Sequence, residues 1–115
     1  MKQHYFDEET AQNLLSQGKK TECMAYALPC VQHRLGLAHR RLPPHTHWED
    51  LESEYNLYLC QAIDRYDKSR DIKLFTLIQH YLTYAERNFI RDETKYIDKH
   101  MQLNEDSLLY YPEED

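Results

Sequence analysis

The side chains with the most chemistry to offer gather between residues 39 and 64. His45 and His47 stand two apart, with His39 upstream and Glu49 and Asp50 just after, donors that could suit a transition metal. An i, i+2 pair in a loop does not share a helix face, and no cysteine cluster completes a tetrahedral set. Surface histidines at a helix start are therefore expected, and no metal is assigned. Beside them Glu49, Asp50, Glu52, Glu54 and Asp64 stand against Arg65 alone, a balance of minus four over one stretch. That is chemistry for a basic partner. Other recognisable constellations are missing: there is no Gly-rich phosphate loop, nucleophile elbow or HExxH. With only 2 glycines in 115 residues, a backbone-cradled nucleotide is not expected either. The expectation is a protein that is not an enzyme and takes no cofactor.

The acidic stretch needs a helix to order it. From Trp48 onward, Leu51, Tyr55, Tyr58, Leu59, Ala62, Ile63 and Tyr66 recur at helical period and make one apolar stripe. Asp50, Ser53, Glu54, Leu57, Gln61 and Asp64 fall on the opposite face. Thr46 with Glu49 three residues on predicts a capping box. Upstream, Asp7 predicts the cap of a helix over Glu8 to Gln17, with Ala11, Leu14 and Leu15 inward and Gly18 as its stop. Thr21 predicts the next cap, for a helix whose core is Met24, Ala27, Leu28, Val31, Leu35, Ala38 and Leu42. Pro29 should kink it or split off its first turn, and Pro43-Pro44 should end it. Downstream, Asp67 to Asp71 reads as a turn, with Ser69 or Asp71 capping a last helix. That helix carries Leu74, Leu77, Ile78, Tyr81, Leu82, Ala85 and Phe89 at core spacing and should run on as an exposed charged extension through Arg91 to Lys99.

The order of residues across this centre carries a family resemblance. Asp50-Leu51, the acid Glu54, Leu59, Ala62-Ile63-Asp64-Arg65-Tyr66-Asp67, Ser69-Arg70, Lys73 and Thr76 together resemble the second conserved region of bacterial sigma factors. Leu28-Pro29 and Arg40-Arg41-Leu42-Pro43-Pro44-His45 are similar to the helix and turn of the flagellar and stress types. The resemblance spans about Cys23 to Asp92. It implies a sigma-region-2-like fold in which the outer face Asp50, Ser53, Glu54, Asn56, Leu57, Gln61 and Asp64 docks on core RNA polymerase, at the clamp helices of the largest subunit. Ser53 stands where the family usually has glutamine, and Tyr55 and Tyr58 where it has glycines.

The resemblance also implies that the last helix opens and reads promoter DNA, within the holoenzyme. Its candidates are Lys73, His80, Tyr81, Tyr84, Arg87 and Arg91; of Leu77, His80 and Tyr81, which stand at the family's aromatic run, only Tyr81 keeps the type. Between Ile72 and His100, Lys73, Arg87, Arg91, Lys95 and Lys99 face Glu86, Asp92, Glu93 and Asp98, a balance of plus one. Aromatics stack on single-stranded bases, but by period Tyr81, Tyr84 and Phe89 read as core. A second sigma-like subunit is a further candidate partner, and the promoter-reading domains of a complete sigma factor have no counterpart in this sequence.

Composition bounds the rest. The formal charge of −6 disfavours a protein that grips nucleic acid unaided. Cys23, Cys30 and Cys60 form no CxxC pair and read as small buried hydrophobes in a reducing compartment. No apolar run is long enough for a transmembrane helix, and MKQHYFDEET lacks the apolar core of a signal peptide, so a cytoplasmic address without membrane contact is expected. The predicted fold is all-α: a compact bundle of about four helices over residues 1–100, followed by an acidic, aromatic tail over 101–115. In that tail Leu108, Leu109, Tyr110 and Tyr111 sit among Glu105, Asp106, Glu113, Glu114 and Asp115. They are expected to pack on the bundle or insert into a partner, with the acids facing Arg87, Arg91 and Lys95. The alternatives to a sigma-like initiation protein are a regulator that borrows the fold without opening DNA and a helical adaptor unrelated to transcription.

Overall fold

A computed structural model describes the backbone of residues 5–108 and the side chains of residues 5–94. The chain forms four helices, α1 (Glu8–Ser16), α2 (Lys20–Arg41), α3 (Trp48–Arg65) and α4 (Leu74–Leu108), with a single 3-10 turn over Lys68–Arg70. No strand occurs among the described residues, and the fold is an all-α bundle of about four helices. None of its helices is long and apolar enough to cross a membrane, among the described residues. The expectations for the side chains beyond Thr94, the tail's packing included, lie outside the described residues.

Short polar connections set the order of packing. At Asp7 the carboxylate accepts from the Thr10 backbone N–H and starts α1. Gly18, at φ 75°, ends it: Gly18 N–H bonds Leu15 and Lys19 N–H bonds Leu14, so two otherwise orphaned carbonyls are satisfied in a Schellman turn. That turn hands the chain directly to α2 at Lys20, with Cys23 N–H bonding the Lys19 carbonyl, so Thr21 lies inside the helix and caps nothing. Pro29 does not split α2, which runs unbroken through it. Pro29 and Ala25, whose carbonyl loses its partner, are both exposed, so water can satisfy the group. Thr46 is not the cap of α3. Its hydroxyl donates to the Pro43 carbonyl at 2.6 Å and closes the turn after the prolines, and α3 starts from His47 without a side-chain cap.

The start of α4 is held from a distance. Neither Ser69 nor Asp71 caps it: Ser69 bonds Asp67 inside the 3-10 turn, and Asp71 adopts the left-handed conformation at φ 59°. Instead Glu8 of α1 accepts from Leu74 N–H (2.6 Å) and Phe75 N–H (2.9 Å). Gln12, one turn on, donates to both Glu8 and the Tyr66 hydroxyl, which donates to the Ile72 carbonyl at 2.9 Å. A carboxylate on two free N–H groups suits the positive end of a helix dipole.

The core lies where α2, α3 and α4 meet. Val31, Ala38, Leu51, Tyr55, Leu59, Ala62, Leu74, Ile78, Leu82 and Ala85 are buried, with Ala11 and Phe6 closing the α1 side. Cys23 and Cys30 fill this core as small hydrophobes, and burial pushes the Cys30 thiol up to about 12. Cys60 does not: it is exposed. Leu28 is likewise exposed rather than core, because Cys23, Ala27 and Cys30 take the inward positions of α2. The Glu8→Ala variant should lose about 1–2 kcal/mol, read by denaturant unfolding, since it strips the cap from a helix start 66 residues away.

Candidate functional site

The apolar stripe of α3 goes inward as its spacing demands, which fixes what is left outside. Asp50, Ser53 and Asp64 are exposed, Glu54 and Gln61 are half-buried, and Leu57 is 52% exposed in the middle of the row. Asp50 and Glu54 have no ion-pair partner among the described residues. Asp64 pairs with Lys20 of α2 at 2.7 Å, and that hydrogen bond holds its carboxyl below the usual carboxylate range. Asn56 sits apart from the row. It lies on the flank of α3, one turn after Glu52, which accepts from Gln32 of α2, and its Oδ1 is buried without a hydrogen-bond partner. Tyr55 points into the core, so a bulky residue there does not obstruct the outer face.

Two hollows flank the row. One, of about 510 Å³, lies between α3 and α4 and is lined by His47, Asp50, Ser53, Glu54, Phe89, Asp92 and Glu93. The other, about 250 Å³, lies between α2 and α3 beside Lys20, Met24, Leu57, Cys60, Gln61 and Asp64. The outer face of α3 is therefore an acidic row with an exposed leucine at its centre and a hollow on either side.

The histidines are occupied singly. His39 stacks on Trp48 with ring centroids 3.8 Å apart, His45 is exposed, and His47 pairs with Glu93, whose hydrogen bond raises the imidazole pKa. No group of three or more His, Cys, Asp or Glu is placed to hold a metal ion, among the described residues.

Lys73, just before α4, and His80, Tyr84, Arg87 and Arg91 on it are exposed and recur at steps of seven, four, three and four, one line along the helix. Tyr84 is 53% exposed, contrary to its core reading, because that line points away from both α2 and α3. Tyr81 leaves the line: it packs half-buried against the core, its hydroxyl beside Arg65 of α3. Phe89, at 7% exposure, is core. Of the six DNA candidates, five share this face. No family model, curated protein or solved structure matches the chain.

Behind both faces lies a cluster that the sequence pattern did not single out. Glu86 on α4 is 7% exposed, yet accepts from the Tyr55 hydroxyl (2.8 Å), Arg41 (2.6 Å) and Arg34 (3.5 Å). Arg34 also donates to the Thr83 hydroxyl and to the side chain and carbonyl of Gln79. Three helices thus meet at one carboxylate. Burial alone would raise its pKa, but the hydrogen bonds from Arg41 and Tyr55 and the two guanidinium charges leave it below the usual value. Tyr55 is pushed the other way, by burial first and by Glu86 second. The charged count along α4 gave Glu86 as one more surface acid; its only signal was its position one residue after the core alanine Ala85.

A carboxylate whose folded pKa is depressed stabilises the fold above its unfolded pKa and loses that contribution as pH falls through the folded value. Wild-type Tm should therefore drop between neutral pH and pH about 3, and Glu86→Gln should flatten that drop while lowering Tm at pH 7. Glu86→Ala, which leaves the largely covered Arg34 without its charge partner and the buried Tyr55 hydroxyl without its acceptor, should cost about 3 kcal/mol by denaturant unfolding.

Proposed function

We propose that this chain is a sigma-factor-like transcription initiation protein that binds core RNA polymerase through the outer face of α3. The observation that carries the reading is the outward row Asp50, Ser53, Glu54, Leu57, Gln61 and Asp64, in which Asp50, Ser53, Leu57 and Asp64 are exposed and Glu54 and Gln61 half-buried. The resemblance to sigma factors implies polymerase docking along this row, with Asp50 and Glu54 keeping the family's polar character, Ser53 standing where the family usually has glutamine, and Asn56 lying apart on the flank. The row's chemistry suits a basic, amphipathic partner helix: carboxylates at Asp50 and Glu54, without an ion pair among the described residues, for its cations, and Leu57 for its apolar side. The clamp helices of the largest polymerase subunit are that partner in the proposal.

The α4 line Lys73, His80, Tyr84, Arg87 and Arg91 is the surface offered to promoter DNA within the holoenzyme, where an exposed tyrosine among cations can stack on an unpaired base. A second reading, a regulator that occupies the same polymerase surface without opening DNA, is favoured by one specific observation. Tyr81, which keeps the family's aromatic type, is packed against the core.

Asp50→Lys with Glu54→Lys should weaken co-purification with core polymerase by at least about tenfold, because like charges then meet across the interface. The helical circular-dichroism signal should be unchanged. Equal co-purification of the double variant and the wild type would remove this face from the proposal. The isolated protein should leave random duplex DNA unshifted at physiological salt, given its net charge of −6. Salt-sensitive duplex binding by the protein alone would show that α4 grips phosphate without the polymerase.

A further inference from the structure

Around Tyr84 the α4 surface is both apolar and basic. Tyr84 and Ile90 are 53% and 37% exposed, and Arg87 and Arg91 are exposed beside them at helical spacing. Neither arginine pairs with an acid among the described residues. The same chain carries a segment of opposite character. Leu109, Tyr110 and Tyr111 are followed, after Pro112, by Glu113, Glu114 and Asp115. Three large apolar residues and three acids complement a patch with two exposed apolar residues and two arginines.

Geometry excludes the apolar half of that match within one molecule. α4 is helical to Leu108, and the last tie between it and the other helices, among the described residues, is Glu93 to His47. At a rise of 1.5 Å per residue, Leu108 stands about 27 Å beyond Ile90 and about 36 Å beyond Tyr84. Three residues past Leu108 span at most about 11 Å, and seven about 25 Å. Leu109 to Tyr111 therefore cannot reach Ile90 or Tyr84 of their own α4. The 62 Å long axis of the molecule fits a helix that does not double back.

We propose that residues 109–115 of one copy dock on the Tyr84–Arg91 patch of a second copy, so that the chain associates with itself and covers its own basic face. If the exchange is mutual, the two α4 helices run antiparallel and each patch receives the other copy's segment, a closed two-fold arrangement. The covered face is the one offered to DNA above, but self-association is read independently of polymerase and does not depend on that proposal.

Sedimentation velocity on the full chain decides it. The wild type should pass from monomer to dimer as concentration rises through the order of 10 μM, as expected of a small interface, and added salt should weaken the association. Removing residues 109–115, or making Arg87→Glu with Arg91→Glu, should weaken it at least about tenfold. Mixing the arginine variant with Glu113→Lys/Glu114→Lys should restore dimers that neither forms alone. A wild type that stays monomeric at every concentration overturns the proposal. So does a dimer indifferent to both changes, or a monomer whose Arg87 and Arg91 instead bind a single-stranded oligonucleotide.

Discussion

Glu86 is the constraint on which the bundle turns. A buried carboxylate is tolerable only if its charge is matched and its lone pairs are filled, and each partner comes from a different direction: Tyr55 from α3, Arg34 and Arg41 from α2. Satisfying it fixes the rotation of three helices at once. With Tyr55 turned inward to reach Glu86, the α3 residues at the opposite positions are turned outward. With Glu86 facing Arg34 and Arg41, the line through Tyr84 and Arg87 must face away. Glu8 does the same for the lower end of α4, setting where that helix begins.

The outward faces so produced differ in sign. α3 offers carboxylates around Leu57, and α4 offers arginines around Tyr84. A net charge of −6 does not reveal this local difference between the outer face of α3 and the exposed line of α4. In the proposal, the acidic face takes the basic partner and the α4 line is kept for an anionic one.

Much of this was legible in the residue order, and the failures share a cause. The helices, the inward stripe of α3 and the Asp7 and Gly18 boundaries of α1 follow from period and local capping, which are properties of neighbouring residues. Thr21, Thr46, Ser69 and Asp71 failed as caps because each expectation considered only its own segment; Thr46 bonded backward to Pro43, and the α4 start took Glu8 from 66 residues away. Tyr84 was read as core because aromatic residues at near-helical spacing look alike whichever way the helix is rotated, and that rotation is set by Glu86. Glu86 itself could not be told from a surface acid, since its partners Tyr55, Arg34 and Arg41 are 31 or more residues distant. Asn56 fell on the flank of α3 for the same reason: one step along a helix is a large turn about its axis.

The outer face of α3 as a polymerase-docking surface is tested most directly by site-specific photo-crosslinking. With a photoreactive residue in place of Leu57, and a control placed at the exposed Leu28, the protein is mixed with core RNA polymerase, irradiated, and the joined peptides are identified. Crosslinks from position 57 into the clamp helices of the largest subunit, absent from position 28, are the predicted result. Crosslinks from position 57 to another subunit, or none while the protein remains bound to core, would contradict it.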